Sequence, residues 1–167
     1  RVGREVAARL RDAGLAVRAL AGRDVRESQD LALEAVEQGT DALVVVGGDG
    51  MVHLGLQAVG GTDVPFGVAP AGTGNDFARA VGVPLVDPIA AADIVVAGAE
   101  RRIDLGRTGD QWFGGVVAAG FDAACEFPPH RASKKALLSA RGFGFDEKFT
   151  GQVRDYEAGT IVIDMVD

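Results

Sequence analysis

Leu43-Val44-Val45-Val46-Gly47-Gly48-Asp49-Gly50 decides the reading of the fold. Four apolar residues, three of them β-branched, run without interruption into a Gly-Gly-Asp-Gly turn. Such a run predicts a buried strand of a parallel sheet. Met51 to Val59 continues as an apolar helical segment, so the glycines lie where a strand gives way to a helix. In open α/β sheets, ligands bind at that end of the strands. Glycine admits positive φ and leaves no side chain in the way, so backbone N–H groups can close around a phosphate. The helix adds its unpaired N–H groups and the positive end of its dipole. Asp49 is the odd member, because a bare carboxylate beside a phosphate is repulsive. A bridging divalent cation removes the conflict, and so does a role toward the group that attacks the phosphate. Both point to phosphoryl transfer. A tight turn closed by an Asx-type hydrogen bond accounts for the same residue without a ligand. The stretch alone does not choose between them.

Toward the N-terminus the pattern alternates. Val2, Val6 and Leu10, with Ala7 beside them, line one helical face, and Gly14 ends that helix. Leu15 to Leu20 reads as a short strand. Asp24 and Glu27 have capping-box spacing ahead of a helix from Val25 to Gln38, with Leu31, Ala35 and Val36 turned inward. This α-β-α-β order predicts a parallel sheet covered by helices.

Toward the C-terminus, Phe66 to Ala69 reads as the next strand. It runs into Pro70-Ala71-Gly72-Thr73-Gly74-Asn75-Asp76, a second glycine-rich loop. Asn75 or Asp76 is placed to cap a helix from Phe77 to Val81. In a parallel sheet two such loops open on the same edge and can share one ligand; the alternative is a pair of ordinary βα turns. Asp87-Pro88 starts a helix whose face is Ile89, Ala92 and Val96. Arg101 to Leu105 and Trp112 to Ala118 read as antiparallel strands joined by Arg107-Thr108-Gly109-Asp110, an entry into a β-rich second domain.

The composition is that of a soluble globular domain: 167 residues, 47% hydrophobic and 25% charged. A net charge of −7 argues against a general nucleic-acid surface. Cys125 is the single cysteine, so no internal disulfide forms, and it is read as structural. No signal peptide and no bilayer-length apolar run is visible. The chain opens on Arg1 and its first methionine is Met51, which suggests a fragment or a processed product. All three lysines, Lys134, Lys135 and Lys148, lie after residue 120, as do five of the eight phenylalanines.

Taken together, Gly47-Gly48-Asp49-Gly50, Pro70 to Phe77, Ile103-Asp104-Leu105-Gly106 and Ala119-Gly120-Phe121-Asp122 resemble the diacylglycerol kinase catalytic domain. The likeness is to its bacterial lipid kinases, related to sphingosine kinases and more distantly to NAD kinases, and covers about residues 1 to 122. It implies an α/β fold, a three-layer parallel-sheet nucleotide-binding domain over residues 1–98 whose first strand would precede Arg1. Residues 99–122 would enter the β-rich domain, and 123–167 would be a divergent, incomplete tail. Tyr156 to Asp167 resembles a strand from small bacterial envelope proteins. The implied reaction moves the γ-phosphoryl group of ATP, with Mg²⁺, to the hydroxyl of a diacylglycerol-like lipid.

On that resemblance Gly47, Gly48, Asp49, Gly50, Met51, Val52, His53 and Leu54 would hold the nucleotide phosphates. Asp49 would be the metal-linked or base carboxylate, Gly72 and Thr73 would meet the nucleotide with Thr73 donating, and Asn75 and Asp76 would shape the second loop. No set of metal ligands is identified. The family usually has threonine at position 51 and often glutamate at position 54, where this chain has Met51 and Leu54. No glycine-rich loop ends in Lys-Ser or Lys-Thr, which disfavours a P-loop ATPase. Residues 1 to 120 hold no lysine, so positive charge at the site falls to arginine, Mg²⁺ or backbone dipoles.

Single residues receive plainer readings. His53 is read as half-buried and satisfied, His130 as exposed, and Trp112 and Phe113 as packing. Asp104 and Asp122 fit a site acid or a strand-end hydrogen bond equally, and Lys134 with Lys135 a solvated helix face. An inactive nucleotide-binding module and an NAD-kinase-like phosphotransferase are the alternatives to a lipid kinase. The expected residence is cytoplasmic, with peripheral contact at the inner membrane surface during work; the oligomeric state is not indicated.

Overall fold

The computed structural model describes residues 1–115 and the strand 160–164. In chain order the elements are α1 (Val2–Asp12), β1 (Ala16–Leu20), α2 (Val25–Glu37), β2 (Ala42–Gly47), α3 (Asp49–Val59), β3 (Phe66–Pro70), α4 (Asp76–Ala80), α5 (Pro88–Val96), β4 (Gly106–Thr108), β5 (Gln111–Phe113) and β6 (Thr160–Asp164).

β2 explains the layers. Its alternate residues face opposite sides, and both sides are covered, which is why the run is apolar throughout. Leu43 and Val45 pack with Ala32 and Ala35 of α2 and with the apolar side of α3. Val44 and Val46 pack with Val6, Ala7 and Leu10 of α1 and with Ala91 and Ala92 of α5. The fold is therefore α/β, a sheet between two helical layers. At this size each buried valine or leucine contributes about 1.5–3 kcal/mol relative to exposure.

Helix ends follow the side chains. Asp24 Oδ1 accepts from Glu27 N–H at 2.9 Å, as the spacing predicts. The Glu27 carboxylate turns back to the Arg23 N–H, one residue ahead of the cap, and also pairs with the Arg23 guanidinium. Asp87 caps α5 with bonds to Ile89 and Ala90 N–H, both 3.0 Å. Gly14 leaves α1 at φ +90°, a conformation open to glycine.

The sheet order is β1-β6-β2-β3. β2 and β3 are parallel, with Gly47 opposite Pro70. β6 is antiparallel to both β1 and β2, so β1, β2 and β3 run in one direction around it. A strand within Tyr156 to Asp167 is expected from the sequence; its place inside this sheet is not, because a strand's residues do not encode its partners.

Other expectations need correction. α3 begins at Asp49, two residues earlier than expected, so Asp49 and Gly50 form its first turn. α2 buries Ala32 and Ala35, while Leu31 is only half-buried. α5 buries Ala91 and Ala92, leaving Val96 exposed. No regular element occupies residues 101–105, whose first four members are exposed. The hairpin is instead β4 and β5, closed by Gly109-Asp110 with Gly106 opposite Phe113. The β-rich continuation, Asp122, Cys125, His130, Lys134 and Lys135 lie outside the described residues.

The hairpin is fastened to α3 by one side chain. The Gln57 amide donates to the Trp112 carbonyl at 2.7 Å and accepts from the Trp112 N–H at 2.9 Å. The indole lies over Gly60, where an added Cβ would come within 2.4 Å of it. No helix among the described residues is long and apolar enough to cross a membrane.

Candidate active site

The parallel register puts the two glycine loops side by side at the carboxyl ends of β2 and β3. Two hydrogen bonds lace them together. At the base, Ala71 N–H donates to the Gly47 carbonyl at 3.0 Å. Further out, Phe77 N–H donates to Asp49 Oδ1 at 3.1 Å, across 28 residues of sequence. Asp49 is half-buried, and among the described residues its second oxygen makes no hydrogen bond or ion pair.

Asn75 shapes the second loop from within. It is 7% exposed and sits at φ 55°, ψ 40°, the left-handed region that asparagine tolerates. Its side chain accepts from Gly72 N–H at 3.1 Å and donates to the Gly72 carbonyl at 2.8 Å. It occupies the N-cap position of α4 without capping it. An N-cap normally has extended backbone, which aims its side chain at the second or third helical N–H. Left-handed Asn75 is turned to Gly72 instead, and the expectation that it caps the helix is corrected.

The other residues named from sequence fall into three groups. Gly47 and Gly48 are buried, Gly50 and Gly72 are half-buried, and none of these four has positive φ. Their backbone conformations are thus ones that other residues also adopt. Met51, Val52 and Leu54 are buried in the core between α3, α2 and β2. Met51 and Leu54, where the resembled family has polar residues, thus extend the apolar core into the first turns of α3. His53 is exposed, not half-buried; its carbonyl accepts from Gln57. Thr73 is exposed at the loop tip, and among the described residues its hydroxyl has no protein partner. Asp104 is exposed and Trp112 is half-buried.

Arg79 is not among the residues that the sequence motifs point to. It pairs with Asp76 Oδ1 and donates through Nη2 to the Gly74 carbonyl at 3.1 Å. The i,i+3 spacing of Asp76 and Arg79 was the available signal. This guanidinium gives the lysine-free loops a cation.

These groups suit a nucleotide polyphosphate. The first N–H groups of α3, at Asp49 and Gly50, have no intrahelical carbonyl to reach, and the helix dipole is positive there. Thr73 brings a hydroxyl from the second loop, and Arg79 a charge from the helix that follows it. Among the described residues no three or more His, Cys, Asp or Glu are gathered as a metal cage. Mg²⁺ commonly takes one or two carboxylates and completes its shell with phosphate oxygens and water, and Asp49 fits that pattern.

A family model described as the diacylglycerol kinase catalytic domain matches residues 1–108. The chain belongs to this family. Its diacylglycerol kinase relatives include one named "Diacylglycerol kinase" from Mycobacterium tuberculosis, 50% identical over 121 residues, which cover 70% of this chain and 39% of the relative. "Probable lipid kinase YegS-like" of Pseudomonas fluorescens is 39% identical over 116 residues, covering 68% of this chain and 38% of that protein. The Bacillus subtilis "Diacylglycerol kinase" is 38% identical over 91 residues, 53% of this chain and 30% of its own length. The chain thus spans 30 to 39% of the length of these diacylglycerol kinase family members.

Proposed function

We propose that this chain is the nucleotide-binding part of a lipid kinase that moves the γ-phosphoryl group of ATP to a lipid hydroxyl such as that of diacylglycerol. The observation that carries this reading is the lacing of two glycine loops by Asp49, in a chain of the diacylglycerol kinase catalytic domain family. Relatives bearing lipid kinase names support it.

Gly47 to Gly50 and the start of α3 bind the phosphates through backbone N–H groups, with the dipole adding attraction. Thr73 donates to the nucleotide, and Arg79 offsets negative charge from the side of the second loop. Mg²⁺, when bound, neutralises the β- and γ-phosphate oxygens. The lipid oxygen attacks the γ-phosphorus, the bond to the β,γ-bridging oxygen breaks, and ADP leaves. The hydroxyl proton passes to a base; the open Asp49 oxygen serves either as that base or as the metal-linked carboxylate. Met51, Val52 and Leu54 support the loop through the core, and His53 stands at its rim. The acceptor lies in a bilayer, so the working enzyme meets the membrane as a peripheral protein from the cytoplasmic side.

A second reading is a module that binds Mg-ATP and transfers nothing by itself. Labelled phosphate transfer from Mg-ATP to a panel of diacylglycerol, other lipids and NAD⁺ separates the readings. Labelled lipid is the expected result. A thermal shift with Mg-ATP and no labelled acceptor selects the module. Labelled NAD⁺ alone overturns the lipid assignment, and neither shift nor label overturns both.

A further inference from the structure

We infer that Asp49 is a positioning residue as well as a site carboxylate: its Oδ1 caps α4 from outside and thereby sets the second glycine loop against the first. This rests on the proposed nucleotide site and adds to it a division of labour within one side chain.

α4 lacks a side-chain cap from its own N-cap residue. α4 has five residues, Asp76–Ala80, and its N-cap Asn75 makes no side-chain bond to it. Both polar ends of the Asn75 amide are engaged by Gly72. Phe77 is the second residue of α4, so its N–H is one of the donors an N-cap side chain ordinarily satisfies. That N–H is met by Asp49 Oδ1 at 3.1 Å. Asp49 itself stands in the first turn of α3, directly after the first glycine pair. One carboxylate therefore belongs to the first turns of two helices, each of which follows a glycine loop.

The chain of contacts runs on into the loop. Phe77 N–H is held by Asp49, Phe77 follows Asp76 and Asn75, and Asn75 holds both polar groups of Gly72. Ala71 returns to Gly47. The circuit Gly47, Asp49, Phe77, Asn75, Gly72, Ala71 closes on itself and encloses the start of both loops. Oδ1 is the member of this circuit that crosses between loops through a side chain. Among the described residues Oδ2 has no protein partner.

The conservative substitution separates the two duties. Asp49→Asn keeps an Oδ1 acceptor for Phe77 N–H and removes the charge. Asp49→Ala removes both. Amide hydrogen exchange on the whole chain reads the circuit directly, with Leu43 to Val46 as the control for an intact sheet. The expected result is loss of protection at Phe77 and Gly72 in Asp49→Ala, with protection retained in Asp49→Asn. Both variants lose the charge toward Mg-ATP, and the alanine variant, which also loses the cap, binds about fivefold or more weaker than the asparagine variant. Unchanged protection at Phe77 in Asp49→Ala overturns the cap. Loss at Phe77 without loss at Gly72, or equal affinity in the two variants, overturns the positioning role. If the unmodified chain binds no Mg-ATP, the nucleotide reading fails by itself, and the Phe77 and Gly72 amides still decide this one.

Discussion

Asn75 carries two demands at once, a left-handed backbone and a side chain bonded twice to Gly72. Two substitutions separate them. Asn75→Gly keeps the backbone and loses both bonds. Asn75→Ala loses the bonds and adds the cost of left-handed alanine. We expect urea unfolding to give a loss of about 1–3 kcal/mol for glycine and at least ~1 kcal/mol more for alanine. Equal losses would show that the backbone conformation is not held by the loop. At Arg79 the expectation concerns charge: Arg79→Met should weaken Mg-ATP binding about tenfold, with a thermal midpoint close to that of the unmodified chain, because its ion pair with Asp76 is half-exposed. Isothermal titration measures the first and calorimetry the second. At this scale the sequence displays residue identities and hides their partners. Asp49, Thr73, Asn75 and Asp76 stand out by type and spacing. That Asp49 meets Phe77 was not legible, because the contact belongs to tertiary geometry rather than to a local period.

α3 is the element on which the site and the following hairpin both depend. It begins at Asp49 and carries Gln57 two turns later, where the side-chain amide pairs with the Trp112 backbone as a strand edge would. Gln57→Ala leaves two backbone groups without that partner, at about 1–3 kcal/mol. Trp112 is the single tryptophan, so its fluorescence should shift to the red as the hairpin loosens. An unshifted spectrum would mean that packing on Gly60 and the Arg107 guanidinium, 5.1 Å from the ring centroid, suffice. Closer to the sheet, Gly55→Ala would place a Cβ 2.5 Å from Phe66 Cε2 and 2.8 Å from Val45 Cγ1. Overpacking of this kind costs about 1–3 kcal/mol and should appear as a lowered melting temperature. Elements with strong periodicity, α1, β2 and α3, were legible to within two residues. The strand expected over Arg101 to Leu105 was not formed, because exposed Arg101, Arg102 and Asp104 bring no buried face to a ladder.

For the molecule as a whole, the parallel α/β arrangement was legible because alternation of strand and helix, with a strand apolar on both faces, admits few other packings. The insertion of β6 between β1 and β2 was not. β-branched residues announce a strand, but nothing in Thr160 to Asp164 names its neighbours. The laced loops make a whole-chain prediction: a ligand that bridges them stabilises the native state by about 2.7 kcal/mol at a hundredfold excess over its Kd. Mg-ATP should therefore raise the melting temperature by several degrees, and the rise should shrink in Asp49→Ala. The sheet order also bears on assembly during synthesis. β2, α3 and β3 are close in the chain and can pair on the nascent polypeptide. Among the described residues β1 pairs with β6, and that ladder waits until Thr160 to Asp164 have been made. That pairing closes a long loop, with the entropic delay that low locality brings. A strand translated before β2 and β3 is therefore zipped to its β6 neighbour after those two have paired.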